Sequence, residues 1–212
     1  MLKMLAAEGG LRALAYDNGP GRYYQPAFRN IAADIGPTEG AFLDVGCGPG
    51  WLCVYVAAGK PELDAIGIDA DPAMIARARG NKGTRLNITY REMDAAGIVY
   101  PAGTFDVAAA VQSAHRWADP AAVLCEVHRV LKPGGSFYIY AADADGTDVP
   151  DGWVRRRGVW PPDAWLLRGW RKCGMDAAQW DALKAVVQAS PFGGGADGRH
   201  GFYRRLVLTR GD

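Results

Sequence analysis

The stretch Leu43-Asp44-Val45-Gly46-Cys47-Gly48-Pro49-Gly50 decides the reading of this chain. A short apolar run, Ala41 to Val45, breaks into three alternating glycines, and Leu52, Val54, Tyr55, Val56 and Ala58 then continue at helical spacing. That is a strand, a tight turn and a helix. Glycines at 46, 48 and 50 let the backbone turn sharply and bring its amides close to a ligand. A glycine pattern alone is weak evidence, but a carboxylate stands two residues before it, at Asp44.

Working outward, the alternation repeats. Ala65-Ile66-Gly67-Ile68 predicts a second strand ending at Asp69, and Asp71 to Gly80 a helix with an N-cap Asp and a Pro at its first position. Asn87 to Arg91 predicts a third strand leading to Asp94. Phe105 to Val111 predicts a fourth, and its unbroken apolar run suits a strand covered on both faces. A helix over 120–131 stops at Lys132-Pro133-Gly134-Gly135, before a fifth strand at Ser136 to Tyr140. Beyond residue 141 the pattern predicts a helix from Asp163 to Lys172, a strand from Lys184 to Ala189, a turn at Gly193 to Gly195 and a closing strand from Phe202 to Thr209. Ahead of residue 40, Leu2, Leu5 and Ala6 begin one amphipathic helix, and Ala27, Phe28, Ile31, Ala32 and Ile35 form a second. Asp17 to Gly21 reads as a loop between them. Strands and helices in alternation with short loops build a parallel sheet wound by helices on both faces.

Composition agrees with one folded domain. The 212 residues are 49% hydrophobic and 22% charged, which excludes disordered, collagenous and coiled-coil chains. No apolar run reaches the ~20 residues of a membrane span, and the first residues lack a secretion signal, so the expectation is a soluble cytoplasmic protein. Cys47, Cys53, Cys125 and Cys173 show neither a metal-site spacing nor a disulfide framework. No metal is expected. Residues 1–150 hold 13 Lys and Arg against 17 Asp and Glu, and residues 151–212 hold 11 against 6, a mildly basic tail that suits either solvated surface or an anionic substrate.

In a parallel sheet of this kind the ligand lies outside the carboxyl ends of the strands, where the winding reverses. Asp69 stands about 20 residues past the glycine loop, the separation at which a carboxylate accepts the hydroxyl protons of a ribose. A nucleoside is therefore the expected ligand. The dinucleotide fingerprint would place a glycine where Trp51 stands and an apolar residue at Asp44. A carboxylate there suits a cationic group better than a pyrophosphate.

Taken together, Asp44-Val-Gly-Cys-Gly-Pro-Gly50, Gly67-Ile-Asp69, Met93-Asp94, Phe105-Asp106 and Leu131-Lys-Pro-Gly-Gly135 resemble class I S-adenosylmethionine-dependent methyltransferases of the small-molecule type, across residues 28 to 140. The resemblance implies a Rossmann-like three-layer α/β/α sandwich of about seven mostly parallel strands, the last antiparallel. It divides the single domain into an N-terminal helical lid (1–40), a cofactor-binding core (41–141), an acceptor-side region (142–200) and a closing strand (201–210). It implies S-adenosylmethionine as cofactor and S-adenosylhomocysteine as product. By position, Gly46, Cys47, Gly48 and Gly50 would underlie the methionine part, with Asp44 and the Gln112 carbonyl near its ammonium. Asp69 would take the ribose and Asp94 the adenine amino group. Ala70 and Met74 would flank the purine, and Ala95 would supply a backbone donor. Tyr23, in the lid position, would meet the methionine carboxylate.

For the transfer step, His115 within Ser113-Ala114-His115-Arg116-Trp117 is the candidate base or acceptor orienter, and Tyr24 a second candidate facing the acceptor. Structural roles stay open beside these: packing for Tyr24 and Met74, a turn for Asp94, a local hydrogen bond for His115. His128 and His200 read as surface residues. Trp153, Trp160, Trp165 and Trp170 suit an aromatic acceptor wall or a core, and Arg155 to Arg157 an anionic group or solvent. A small-molecule acceptor, aromatic or anionic, is expected, and neither membrane nor nucleic acid. The sequence leaves the oligomeric state open. Alternatives are an RNA or protein methyltransferase, a nicotinamide-dependent oxidoreductase and an inactive cofactor-binding relative. The Asn/Asp-Pro-Pro-aromatic run of amino-directed nucleic-acid enzymes is absent after Val111, and the Pro-Cys nucleophile of cytosine-carbon enzymes is missing.

Overall fold

The computed structural model describes residues 10–15, 17–18, 24–37, 39–146 and 174–211. Expectations for Leu2, Leu5, Ala6 and Tyr23, for Arg155 to Arg157, for Cys173, for the four tryptophans from Trp153 to Trp170 and for the 163–172 helix lie outside these residues. The elements in order are α1 (Gln25–Ile35), β1 (Gly40–Val45), α2 (Trp51–Val56), β2 (Leu63–Asp69), α3 (Pro72–Asn81), β3 (Ile88–Glu92) and β4 (Phe105–Val111). A 3-10 turn (Ala114–Arg116) follows, then α4 (Pro120–Val130), β5 (Leu131–Ala142), α5 (Ala177–Ala189), β6 (Ala196–His200) and β7 (Tyr203–Thr209).

The strands form one sheet in the order β3-β2-β1-β4-β5-β7-β6, with β7 antiparallel to both its neighbours and every other pairing parallel. Strand β4 sits at the centre because its side chains are small and apolar on both faces. Ala109 and Val111 join the core beneath α1, α2 and α3, while Ala108 and Ala110 join the core beneath α4 and α5. Helices α3 and α4 both begin with the Asp-Pro pair that the sequence announces: the Asp71 carboxylate accepts from Ala73 N at 2.8 Å, and Asp119 accepts from Ala122 N at 3.0 Å. The chain winds outward from β1 in one direction and from β4 in the other. Their adjacency, Asp44 opposite Ala109, marks the crevice where a ligand is expected.

The structure corrects three expectations. Lys184 to Ala189 is helical, not a strand. Trp180, Leu183 and Val187 form a buried stripe at helical spacing, and Asp176 with Gln179 makes a reciprocal capping box. Six residues read alone show their β-branched valines but neither the stripe nor the cap. The missing strand is β6, a polar edge strand held against β7, and His200 at its end is half-buried, with Nδ1 3.7 Å from the Asp34 carboxylate. Strand β5 begins at Leu131 rather than Ser136. The Lys132-Pro-Gly-Gly135 segment bulges between Phe105 opposite Leu131 and Val107 opposite Ser136. Among the described residues, no helix is long and apolar enough to cross a membrane.

Candidate active site

A cavity of about 660 Å³ opens over the carboxyl ends of β1, β2 and β4, within the size range of small-molecule sites. Its floor is the glycine loop, which is tied down by backbone bonds. Gly46 N and Cys47 N both donate to Ile68 O at 2.9 Å, and Gly50 N donates to Cys47 O at 2.9 Å. Two glycines explain themselves differently. Gly46, at φ +74°, has Ser113 so close that a Cβ would stand 2.5 Å from the serine Cβ, while the Ser113 hydroxyl donates to Val45 O at 2.7 Å. Gly48, at φ +51°, lines the cavity, and a Cβ there would meet no atom within 4 Å. The first is required by the protein's own packing. The second leaves room for a ligand against the backbone, which is the fit expected of the nucleoside cofactor's methionine arm.

Asp69 holds the loop and the first turn of α3 together. One carboxylate oxygen accepts from Gly48 N at 2.8 Å and the other from Asp71 N at 2.9 Å, so the group is fixed on the cavity wall with lone pairs to spare. Ala70 and Met74 line the same side. Asp94 sits in an Asx turn, accepting from Ala96 N at 2.9 Å, and Asp94, Ala95 and Ala96 form the wall beyond β3. Gln112 closes β4 in the left-handed region at φ +55°, the one non-glycine residue so placed among those described. The strain is held on both sides: its N–H donates to Tyr140 O at 2.9 Å and its Oε1 accepts from Ala142 N at 2.7 Å. Strained backbone of this kind gathers at functional sites.

Asp44 is 2% exposed, and the Cys53 thiol donates to it at 3.7 Å. Burial pushes its pKa up to about 7, and the Asp69 charge adds to the shift. Five carboxylates, Asp44, Asp69, Asp71, Asp94 and Asp119, line the cavity against one guanidinium, Arg116. Asp71 and Asp119 cap helices, while Asp44, Asp69 and Asp94 stand at or just past the ends of β1, β2 and β3. Burial also pushes the Cys47 and Cys53 thiols well up, so both are neutral and neither is an activated nucleophile.

Asp44, Gly46, Cys47, Gly48, Asp69, Ala70, Met74, Asp94, Ala95 and Gln112 thus share one cavity wall. Gly50, Tyr24 and His115 are not on it. Gly50 packs against Tyr90, whose hydroxyl donates to Gly50 O at 2.6 Å. Tyr24 is buried in the apolar cluster beneath α1. His115 has a buried Nδ1 with no hydrogen-bond partner, and burial together with neighbouring Arg116 lowers its pKa. The wall also takes in Phe28, Leu52, Arg116 and Trp117. Phe28 and Leu52 carry no sequence signal beyond an apolar position on a helix.

Residues 43–139 match the methyltransferase domain family. Demethylmenaquinone methyltransferase of Thermus thermophilus is 33% identical over 98 residues, covering 46% of this chain and 44% of that protein. Nocamycin O-methyltransferase of Saccharothrix syringae is 34% identical over 125 residues, covering 57% and 44%. The chain therefore spans less than half the length of either. In fold, a Methanococcus maripaludis protein assigned to the S-adenosyl-L-methionine-dependent methyltransferases superposes with a TM-score of 0.76 at 19% identity, covering 96% of this chain and 94% of that one. An Aquifex aeolicus SAM-dependent methyltransferase gives 0.67 at 18%, covering 95% and 98%. The match of residues 43–139 to the methyltransferase domain family thus accompanies, in this chain, a seven-stranded sheet with an antiparallel β7 and a glycine loop at the β1/β4 reversal.

Proposed function

We propose that this protein transfers a methyl group from S-adenosylmethionine to a small-molecule acceptor and releases S-adenosylhomocysteine. The observation that carries this reading is the row of acids at three strand ends, Asp44, Asp69 and Asp94, around a glycine whose missing side chain leaves open space. S-adenosylmethionine, when bound, supplies a methyl carbon on a sulfonium, an electrophile with its leaving group built in.

The chain's own residues bind and orient. Asp69, fixed by two backbone amides, accepts from the ribose hydroxyls. Asp94 accepts from the adenine amino group, and Ala95 donates a backbone N–H to the ring. Ala70 and Met74 pack on the purine. The Gln112 carbonyl and Asp44 face the ammonium, with Gly46, Cys47 and Gly48 beneath the methionine arm. Because Asp44 shares a proton near neutrality when alone, an arriving cation draws it into the ionised form. Holding an acceptor in line with the methyl carbon then accounts for most of the acceleration, since proximity and orientation alone supply several kcal/mol, of the order of 7–11 kcal/mol in favourable cases.

Three observations support a small-molecule acceptor. Relatives are named demethylmenaquinone methyltransferase and nocamycin O-methyltransferase, Trp117 and Arg116 line the cavity, and the motifs of the nucleic-acid-directed enzymes are absent. His115, the candidate base or acceptor orienter of the sequence, lies in the 3-10 turn after β4 and off the cavity wall, and is given no part in the transfer. The test is incubation with methyl-deuterated S-adenosylmethionine and fractionated extract. Label in the small-molecule fraction is expected, whereas label confined to RNA or protein contradicts the acceptor class. Label in no fraction, with S-adenosylhomocysteine still bound tightly, is the result of an inactive cofactor-binding relative.

A further inference from the structure

Ahead of α1, one carboxylate reaches the glycine loop without touching the cavity. Asp17 is 2% exposed and accepts from three side chains. These are the Trp51 indole N–H at 2.6 Å, the Asn81 amide at 3.1 Å and the Arg77 guanidinium in an ion pair. Trp51 is the first residue of α2, directly after Gly50. Met74, Arg77 and Asn81 fall on one stripe of α3. Met74 lines the cavity, and the other two hold Asp17. The Asn81 amide also donates to Pro49 O at 3.0 Å, and Pro49 is part of the cavity floor. The carboxylate thus closes a circuit that joins the N-terminal segment, the end of the glycine loop and the purine-side helix.

A buried charge is retained only where its partners compensate for lost water. Here the partners are the two elements that must keep a fixed distance for a nucleoside to lie between Gly48 and Met74. Neither helix depends on Asp17 for its packing. Leu52, Cys53, Val54 and Val56 bury one face of α2, and Ile75 and Ala78 one face of α3.

We infer that Asp17 is a positioning residue for cofactor binding, clamping Trp51, Arg77 and Asn81 so that the glycine loop and the first turn of α3 stand at the separation the cofactor needs. This rests on the cofactor reading above. The experiment is calorimetry with S-adenosylhomocysteine, with dissociation rates by stopped flow and melting of the unliganded protein, on wild type, Asp17→Ala, Asn81→Ala and the double variant. Asp17→Ala is expected to weaken binding about tenfold, chiefly by faster dissociation, and to lower the melting temperature because it leaves the Trp51 N–H and the Arg77 guanidinium without their acceptor, whereas Asn81→Ala is expected to melt close to wild type. Asn81→Ala is expected to weaken it about threefold, and the double variant no more than Asp17→Ala, because both cut one circuit.

Unchanged affinity in Asp17→Ala, or a double variant whose loss is the product of the two singles, overturns the inference. If Asp17→Ala does not fold, Asn81→Ala decides alone: wild-type affinity there overturns the inference, and a threefold loss supports it. Wild-type protein that fails to bind S-adenosylhomocysteine removes the cofactor reading and this inference with it, whereas tight wild-type binding that Asp17→Ala leaves intact overturns only the latter.

Discussion

Asp44→Asn converts the buried acid of β1 into a neutral isostere, and its effect on stability is fixed by the position of that acid. In the folded chain burial raises the carboxyl pKa from 3.8 to about 7. Between those values the folded state keeps a proton that the unfolded chain has released. Raising the pH through this window therefore takes stability away, and above pH 7 the loss is complete. A rise from 3.8 to about 7 corresponds to roughly 4 kcal/mol at pH 8 and to less than half of that at pH 5, where only part of the window has been crossed. Asparagine has no proton to lose, so Asp44→Asn is expected to gain on wild type by about 2–3 kcal/mol between pH 5 and pH 8. For a chain of this length that is roughly 5–10 °C in the difference of melting temperatures. The assay is calorimetric melting of the unliganded protein from pH 5 to pH 9. A difference between the two proteins that stays flat across that range, or that shrinks as pH rises, refutes the reasoning.

The two glycines of the loop separate fold from ligand. Gly46→Ala drives a Cβ into Ser113 and is expected to lower the melting temperature sharply. Gly48→Ala carries only the left-handed backbone cost of about 1–2 kcal/mol but is expected to abolish measurable S-adenosylhomocysteine binding, which calorimetry and melting read together. Arg205→Met is expected to destabilise the fold by about 2–3 kcal/mol in urea unfolding. It removes both guanidinium bonds to Asp34, at 2.8 and 2.9 Å, and leaves that carboxylate with the Tyr140 hydroxyl at 2.5 Å and the more distant His200. Gln112→Gly relieves the strained φ of +55° yet removes the bond to Ala142 N. Weaker cofactor binding at near-unchanged stability is expected, and unchanged binding shows that the bond to Ala142 is not needed.

The parallel half of the sheet was legible because each of its strands ends in punctuation: glycines after Val45, Asp-Pro after β2, the Asp-Pro before α4. Those punctuation residues also stand at the cavity, so lining positions such as Asp69 could be named from the sequence. After residue 141 local chemistry no longer matches the outcome. Helix α5 is specified by a cap at Asp176 and a stripe that spans eight residues, from Trp180 to Val187, and a window opened at Lys184 misses both. Strand β6 has no apolar alternation because it is an edge strand that takes its partner from β7. Asp17 carried nothing but turn chemistry. Its meaning comes from Trp51, Arg77 and Asn81, which lie 34, 60 and 64 residues away. His115 shows the opposite failure, since a histidine at a suggestive place in the motif has its Nδ1 buried and its ring off the cavity wall.

The central claim is that carboxylates at strand ends grip an S-adenosyl nucleoside, and titration calorimetry with S-adenosylhomocysteine on wild type and Asp69→Ala tests it most directly. The account predicts micromolar binding by wild type and a loss of at least about tenfold, about 1.4 kcal/mol, in the variant, the size of a lost charge-assisted hydrogen bond. Binding of NADH in place of S-adenosylhomocysteine, or equal affinity in the two proteins, would contradict it.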